Sequence, residues 1–470
     1  MTAAPLRIHL IAICGTGMGA LAVMLKTLGH HVTGSDQDVY PPMSTLLEAQ
    51  GISVFQGFDV ANLTPEPDLV VIGNAISRGN PEAEAVLERK IRYQSMPEAL
   101  KAFFLWDRQT IVVTGTHGKT TTTTLIAWLL QQAGFDPSYI IGGVPIGWPT
   151  GAHFGDGRYF ILEGDEYDSA FFDKRAKFLH YLPDIAVINN IEYDHADIYE
   201  TVDEITLAFR RFVNLIPRNG LLIGSATDDH VKSLFPRAFC PIQTFGEGTQ
   251  AQWSARQITT TPSGLTFTVT DSGTDVGTVT VPLYGAHNVN NTLAAIAVAC
   301  QVNVPWNSIV DGLRTFPGVK RRLEERGVVN GITVYDDFAH HPTAIAVTLT
   351  GLRAAYPESR IWAVYEPRTA TSIRRVFQAA YTTAFDASDR ICIAPVFNPY
   401  KAPEDNRFSI EELIVDLRAR GKDAVTLPDV ETIIQHLVTH ALPGDRIVIM
   451  SNGGFGGIHE RLLQALRETE

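Results

Sequence analysis

The residues with the plainest chemical meaning are Gly115-Thr116-His117-Gly118-Lys119-Thr120-Thr121. Glycines at 115 and 118 leave backbone N–H groups free to approach phosphate oxygens closely. A helix starting at Lys119 adds the partial positive charge of its N-terminus. Lys119 can then reach the β and γ phosphates of a nucleotide, and the Thr120 hydroxyl offers an oxygen to Mg²⁺. The strict phosphate-loop pattern has another glycine at position 113, where this chain has Val113, so the loop is a shortened form. A packing turn with an exposed lysine is the plainer alternative, and the Gly-Lys-Thr order between a strand and a helix argues against it.

Two acidic stretches follow apolar strands: Glu163-Gly164-Asp165-Glu166-Tyr167-Asp168 and Asp194-His195-Ala196-Asp197. Parallel strands deliver their C-terminal ends to one edge, so these carboxylates and the imidazole can converge on a metal held by Thr120. His287, Asn288 and Asn291 open a later helix, with 287 and 291 on one face, suited to an adenine edge or a ribose. Arg321 and Arg322 follow Phe316-Pro317-Gly318, where a guanidinium can clamp a γ-phosphate. Asp336-Asp337-Phe338-Ala339-His340-His341-Pro342-Thr343 lies between a strand and a helix, and Ser451-Asn452-Gly453-Gly454 closes the last strand. An earlier turn, Gly15-Thr16-Gly17-Met18-Gly19, is a weaker nucleotide signal, because such turns also serve close helix–strand packing. Asp36, at the end of the next strand, stands where dinucleotide enzymes keep a ribose-binding acid. An NAD-dependent oxidoreductase is therefore the rival reading. A second loop carrying Lys-Thr fits a nucleotide-linked substrate plus ATP better.

Three stretches of strand, glycine turn and helix must position these residues. The first comprises strands at Ile8–Cys14, His31–Gly34 and Leu69–Gly73 with a helix at Ala20–Leu28. The second has strands at Thr110–Thr114, Tyr159–Leu162 and Ile185–Ile188, helices at Lys119–Gln132 and Asn288–Cys300, and antiparallel stretches within Leu265–Val281. The third alternates strands at Ile332–Tyr335, Ile361–Tyr365, Arg390–Ala394 and Arg446–Met450 with helices at Ala344–Ala355, Ile373–Phe385, Ile410–Arg420 and Glu431–His440. The expected fold is three-domain α/β: a Rossmann-like domain over 1–107, a phosphate-loop domain over 108–317 and a second Rossmann-like domain over 318–470. A length of 470 residues agrees with about three domains. Clefts between such units suggest an enzyme that closes on two or more substrates.

Composition narrows the partners. The chain has 38 Lys and Arg against 51 Asp and Glu, a formal charge of −13, which disfavours nucleic-acid binding. Four cysteines, Cys14, Cys240, Cys300 and Cys392, are far apart, so a disulfide framework or zinc site is not indicated. No apolar run reaches the roughly 20 residues of a membrane span. These features point to a soluble cytoplasmic protein acting on small molecules.

In chain order, Gly115-Thr116-x-Gly118-Lys119-Thr120, Glu163, His195, His287-Asn288-x-x-Asn291, Arg321 and Asp337 resemble the successive ATP-site motifs of the Mur ligase family, over the whole chain. Asp336-Asp337-Phe338-Ala339-His340-His341, Glu366-Pro367-Arg368 and Ser451-Asn452-Gly453-Gly454-Phe455 are similar to the branch that joins UDP-N-acetylmuramate to L-alanyl-γ-D-glutamyl-meso-diaminopimelate in peptidoglycan recycling. The branch that adds L-alanine to UDP-N-acetylmuramate is the alternative. The resemblance implies an ATP- and Mg²⁺-dependent amide ligase working through an acyl phosphate, a monomer or weak homo-oligomer. It implies that Lys119 holds phosphates, that Thr120, Glu163 and His195 bind Mg²⁺, that His287 and Asn291 take adenine, and that Arg321 and Asp337 meet ATP from the third domain. Gly15, Thr16, Gly17 and Met18, with Asp36, Asn74, Ala75 and Ile76, would hold UDP. His340, His341, Arg368 and Asn452 are the peptide candidates. The family's bridging carbamylated lysine has no counterpart, since no lysine occurs between Lys177 and Lys232. The Asp-Asn-Pro-Arg motif of the diaminopimelate-adding ligase is also absent.

Overall fold

Apolar strands and the helices between them fold into three main sheets in a computed structural model of the chain, which describes all residues except 1–3, 41–42, 197, 249 and 469–470. Asp197 of the second acidic stretch lies outside the described residues. The first sheet is five-stranded and parallel, in the order Ser53–Gln56, His31–Asp36, Arg7–Ile11, Leu69–Ile72 and Tyr93–Ser95. Its central strand buries Ile8, Leu10 and Ile11 together with His9, as a strand covered on both faces requires. That strand stops at Ile11, short of the expected Cys14, because Ala12 turns to φ 66°. The helix begins at Thr16, one turn earlier than expected, so Gly17, Met18 and Gly19 are helical residues.

The second sheet has ten strands. Ile242–Phe245, Leu221–Ser225, Ile185–Ile188, Gln109–Thr114, Tyr159–Glu163 and Ser138–Ile140 run parallel to one another, and Ala152–His153 pairs antiparallel at the last of them. An antiparallel meander of Trp253–Thr261, Gly264–Asp271 and Thr274–Val281 extends one edge. The strand at Gln109–Thr114 therefore lies between the two strands that carry the acidic stretches. The helix Lys119–Gln132 begins with a run of threonines, Thr120 to Thr124, all buried. Threonine is a middling helix former, and a buried hydroxyl needs a partner. Thr123 and Thr124 donate to the carbonyls of Lys119 and Thr120 at 2.7 Å, which satisfies them inside the helix. The helix packs on Ala286–Gln301, whose buried face is rich in alanine and allows close approach.

The third sheet has six strands, ordered Glu324–Val329, Ile332–Asp337, Arg446–Met450, Ile361–Tyr365, Arg390–Ile393 and Asp423–Thr426, with only the first antiparallel. One expected helix is shorter. Residues 373–385 supply only Gln378–Ala384, preceded by a 3₁₀ turn over Arg375–Phe377. No described helix is long and apolar enough to cross a membrane.

Candidate active site

A cavity of about 1190 Å³ opens between the three units, lined by Thr16, Gly17 and Met96 from the first, Thr116 to Thr121, Glu163, His195 and His287 from the second, and Arg322, Asp337, His340, His341 and Thr343 from the third. Its floor is the phosphate loop. Gly115 (φ 128°) and Gly118 (φ 80°) adopt backbone that side chains rarely take. A Cβ on Gly115 would lie 3.0 Å from the Asn190 backbone, and one on Gly118 would collide with Asn291 Oδ1. Asn190 braces the loop, accepting from Thr116 N at 3.0 Å through its carbonyl and from His117 N at 2.8 Å through its side chain.

Lys119 Nζ donates to the Gly115 carbonyl (2.6 Å) and to Glu166 (2.7 and 3.0 Å). Burial alone would lower its pKa, but Glu166, Asp165 and Glu163 around it carry it above the ordinary lysine value. A charged lysine buried behind a glycine loop suits an anionic phosphate chain. Thr120 Oγ1 donates to Glu163 Oε1 at 3.0 Å, and Glu163 Oε2 accepts from Gly142 N at 2.7 Å. Burial pushes the Glu163 carboxyl above its usual range, despite the Gly142 N–H and Lys119 nearby. His195 Nε2 lies 3.0 Å from Glu166 Oε1, and ligand atoms of Asp165, Glu166 and His195 lie within 4.8 Å of one another. Burial opposes a charged His195, but Glu166 and Asp194 raise its pKa. Of the three expected metal ligands, Thr120 and Glu163 are thus in contact, whereas His195 is bonded to Glu166. Glu166 belongs to the acidic stretch the sequence singles out, and only the fold reveals that it joins Lys119 to His195.

The hard-oxygen donors Thr120 and Glu163 fit Mg²⁺. Four buried polar atoms without partners, Asn189 Oδ1, Asn290 Oδ1, His287 Nδ1 and His341 Nε2, belong to residues that line the same cavity, as a polar ligand's site requires. Burial drives the His287 imidazole down to about 4, so it is neutral near pH 7. Asn291 also lines the cavity, and part of its amide is engaged locally. Its Oδ1 accepts from Thr122 Oγ1 (3.2 Å) and its Nδ2 donates to Asn288 Oδ1 (2.9 Å), so it packs behind Gly118.

The two neighbouring arginines point to different places. Arg321 takes φ 60°, and its guanidinium donates to the carbonyls of Ser451 and Gly453 (2.8 Å to the latter), inside the third unit. Arg322 faces the cavity, and its Nη2 donates to Thr120 Oγ1 at 3.1 Å. Asp337 accepts from Leu323 N (2.6 Å) and Ala339 N (2.7 Å), and burial pushes its carboxyl up to about 6.

The remaining candidates divide. His340 and His341 line the cavity; Arg368 and Asn452 do not. The Arg368 guanidinium stacks 3.5 Å from the Phe397 ring centre and lies 3.6 Å from Glu366. A Cβ on Gly453 would strike it, and the neighbouring Asn452 Oδ1 is buried without a partner. In the first unit, Thr16 and Gly17 line the cavity, Gly15, Asn74 and Ala75 are exposed, and Met18 and Ile76 are buried in the core. Burial of these two side chains confines any ligand contact to their backbone. Asp36 Oδ2 accepts from Cys14 N at 2.8 Å, which fixes the end of its strand.

Family models for the Mur ligase family catalytic domain, the Mur ligase middle domain and the Mur ligase glutamate ligase domain match residues 7–105, 113–299 and 321–453. The chain is 45% identical over 463 residues, 98% of each chain, to the UDP-N-acetylmuramate–L-alanyl-γ-D-glutamyl-meso-2,6-diaminoheptandioate ligase of Escherichia coli K12. It is 35% identical over 460 residues, again 98% of each chain, to the UDP-N-acetylmuramate–L-alanine ligase of Desulforapulum autotrophicum. A solved murein peptide ligase from Psychrobacter arcticus superposes with a TM-score of 0.72 at 39% identity, covering 98% of this chain and 99% of that one. With matches to all three domains and near full-length relatives well above 30% identity, this chain is a member of the Mur ligase family.

Proposed function

We propose that the protein joins UDP-N-acetylmuramate to the tripeptide L-alanyl-γ-D-glutamyl-meso-diaminopimelate at the cost of ATP. The observation that carries this reading is one cavity in which a phosphate loop, a lysine and buried carboxylates meet residues of the third unit. The choice of acceptor draws on the 45% and 42% identical relatives, which are named for that tripeptide. Two steps balance the chemistry. The lactyl carboxylate of UDP-N-acetylmuramate takes the γ-phosphoryl group, giving ADP and an acyl phosphate. The peptide amine then attacks the acyl carbon, forms a tetrahedral intermediate and expels inorganic phosphate as the amide forms.

In this reading Lys119 and the N–H groups of residues 115–121 neutralise the phosphate chain as charge shifts to its oxygens. Arg322 supplies the third unit's guanidinium, in place of Arg321. His287 and Asp337 bound the nucleoside. Thr120 and Glu163 would hold Mg²⁺, with His195 and Glu166 behind them. When bound, the ion offsets phosphate charge. Thr16 and Gly17 are the cavity-lining residues of the loop assigned to the UDP portion, and His340 and His341 those assigned to the peptide. The units 1–107, 108–317 and 318–470 then divide UDP-sugar, ATP and peptide among themselves, and all three are water-soluble small molecules. ADP release should require UDP-N-acetylmuramate, tripeptide and a divalent cation together. Release without an acceptor, or an amide product with L-alanine but not the tripeptide, would refute the reading.

A further inference from the structure

Glu192 sits between the two acidic stretches and the third unit. Its Oε2 accepts from His117 Nε2 of the phosphate loop at 3.0 Å and from Thr343 Oγ1 of the third unit at 2.9 Å. Its backbone N donates to Thr116 Oγ1 at 2.9 Å, so the loop holds it at both ends. Thr343 lies in the first turn of the helix Pro342–Ala355, which is capped by His341, and the His341 ring lies 4.9 Å from that of His117. One carboxylate oxygen thus joins the loop that would take phosphates to the helix that begins the peptide side of the cavity. No other residue among the described ones accepts a side-chain hydrogen bond from both His117 and the third unit.

We propose that Glu192 is a positioning residue that couples phosphate-loop occupancy to docking of the third unit, through His117 on one side and Thr343 on the other. This rests on the ligase reading only for its kinetic readout. A phosphate chain that settles on residues 115–118 fixes His117, which fixes the carboxylate that Thr343 must meet. The energy scale is that of a charge-assisted hydrogen bond, enough for roughly a tenfold effect on coupling.

The test uses the full chain with a non-hydrolysable ATP analogue and Mg²⁺. Small-angle scattering should show the unmodified protein contracting when the analogue binds. Thr343→Val, which removes only the hydroxyl, and Glu192→Ala should clearly reduce the contraction and lower kcat by about tenfold. Thr343→Val should leave the equilibrium dissociation constant of the analogue within about twofold. Glu192→Gln, which keeps an acceptor oxygen, and Thr343→Ser, which keeps the hydroxyl, should restore most of the contraction. The double variant Glu192→Ala, Thr343→Val should be no worse than Glu192→Ala alone. Absence of contraction in the unmodified protein, normal contraction in Thr343→Val, or failure of Thr343→Ser to restore it would overturn the proposal. The contraction is read without acceptor, so it stands or falls separately from the ligase reading.

Discussion

Two glycine turns in this chain share a grammar of strand, glycines and helix, yet they are filled differently. In the first, a Cβ on Gly17 would meet the Met96 methyl at 2.7 Å, and one on Gly19 would strike Met43. Its glycines make room for flexible apolar side chains. In the second, Gly115 and Gly118 hold backbone that side chains rarely adopt, against the backbone of Asn190 and the amides of Asn189 and Asn291. Its lysine is buried among three carboxylates. The lesson is that glycine spacing marks a close approach without saying what approaches. The polar residues around the turn decide whether it is built for packing or for an anion.

The comparison breaks most decisively at Lys119. Lys119→Ala should lower acceptor-dependent ADP release by about a thousandfold or more, the loss of several kcal/mol at the transferred phosphoryl group. Near-normal turnover would show that the second turn holds no reacting phosphate. Gly118→Ala comes next. The added methyl meets Asn291 and Asn189, and the strained φ adds about 1 kcal/mol or more, so the KM for ATP should rise by roughly tenfold to a hundredfold. Arg322→Ala should cost about tenfold or more in kcat. Arg321→Ala should instead lower the melting temperature, because its guanidinium ties the Ser451 and Gly453 carbonyls to the third sheet. Equal kinetic losses in both would erase the distinction between the two arginines. Gly17→Ala should be milder. Only a methionine methyl must move, so the melting temperature should hold within a few degrees while the KM for the UDP-sugar rises by about fivefold.

The smallest effect concerns pH. His287 titrates at about 4 in the folded protein, against 6.5 for a free imidazole, because burial disfavours its charge. The unfolded chain then binds more protons between those values, so stability falls as pH drops from 6.5 to 4. His341 adds to the same loss for the same reason. Asp337, pushed up to about 6, acts oppositely, since its contribution falls as pH rises from 3.8 to 6. In calorimetric scans His287→Gln should reduce the acid loss of melting temperature between pH 6.5 and 4, and an unchanged slope would contradict a buried neutral imidazole.

Much of this arrangement is legible in residue order. The helix at 119–132 and the strands at 185–188, 361–365 and 446–450 fall where apolar periodicity and capping glycines indicate. Strands such as Ser138–Ile140, Ile242–Phe245 and Asp423–Thr426 are too short or too mixed to show a period, and their identity depends on neighbours far along the chain. The helix start at Thr16 was hidden because glycines read as a turn can also occupy a first helical turn. Within the site, residue type points to Lys119, Thr120 and Glu163. It does not say that Arg321 adopts φ 60° and leaves the cavity to Arg322, nor that Asn291 bonds Thr122 and Asn288 behind Gly118 while lining the cavity. Both outcomes depend on tertiary contacts between segments that are distant in sequence.

The central claim is that this cavity couples ATP cleavage to joining a nucleotide-linked muramate carboxylate to a peptide amine. The most direct measurement is ADP release in Mg²⁺ with UDP-N-acetylmuramate and, in parallel, tripeptide, L-alanine or no acceptor, with the product identified by mass. Stoichiometric ADP and UDP-linked tripeptide are expected in the first reaction and little product in the other two. Product with L-alanine alone, or ADP release indifferent to the acceptor, would contradict that claim.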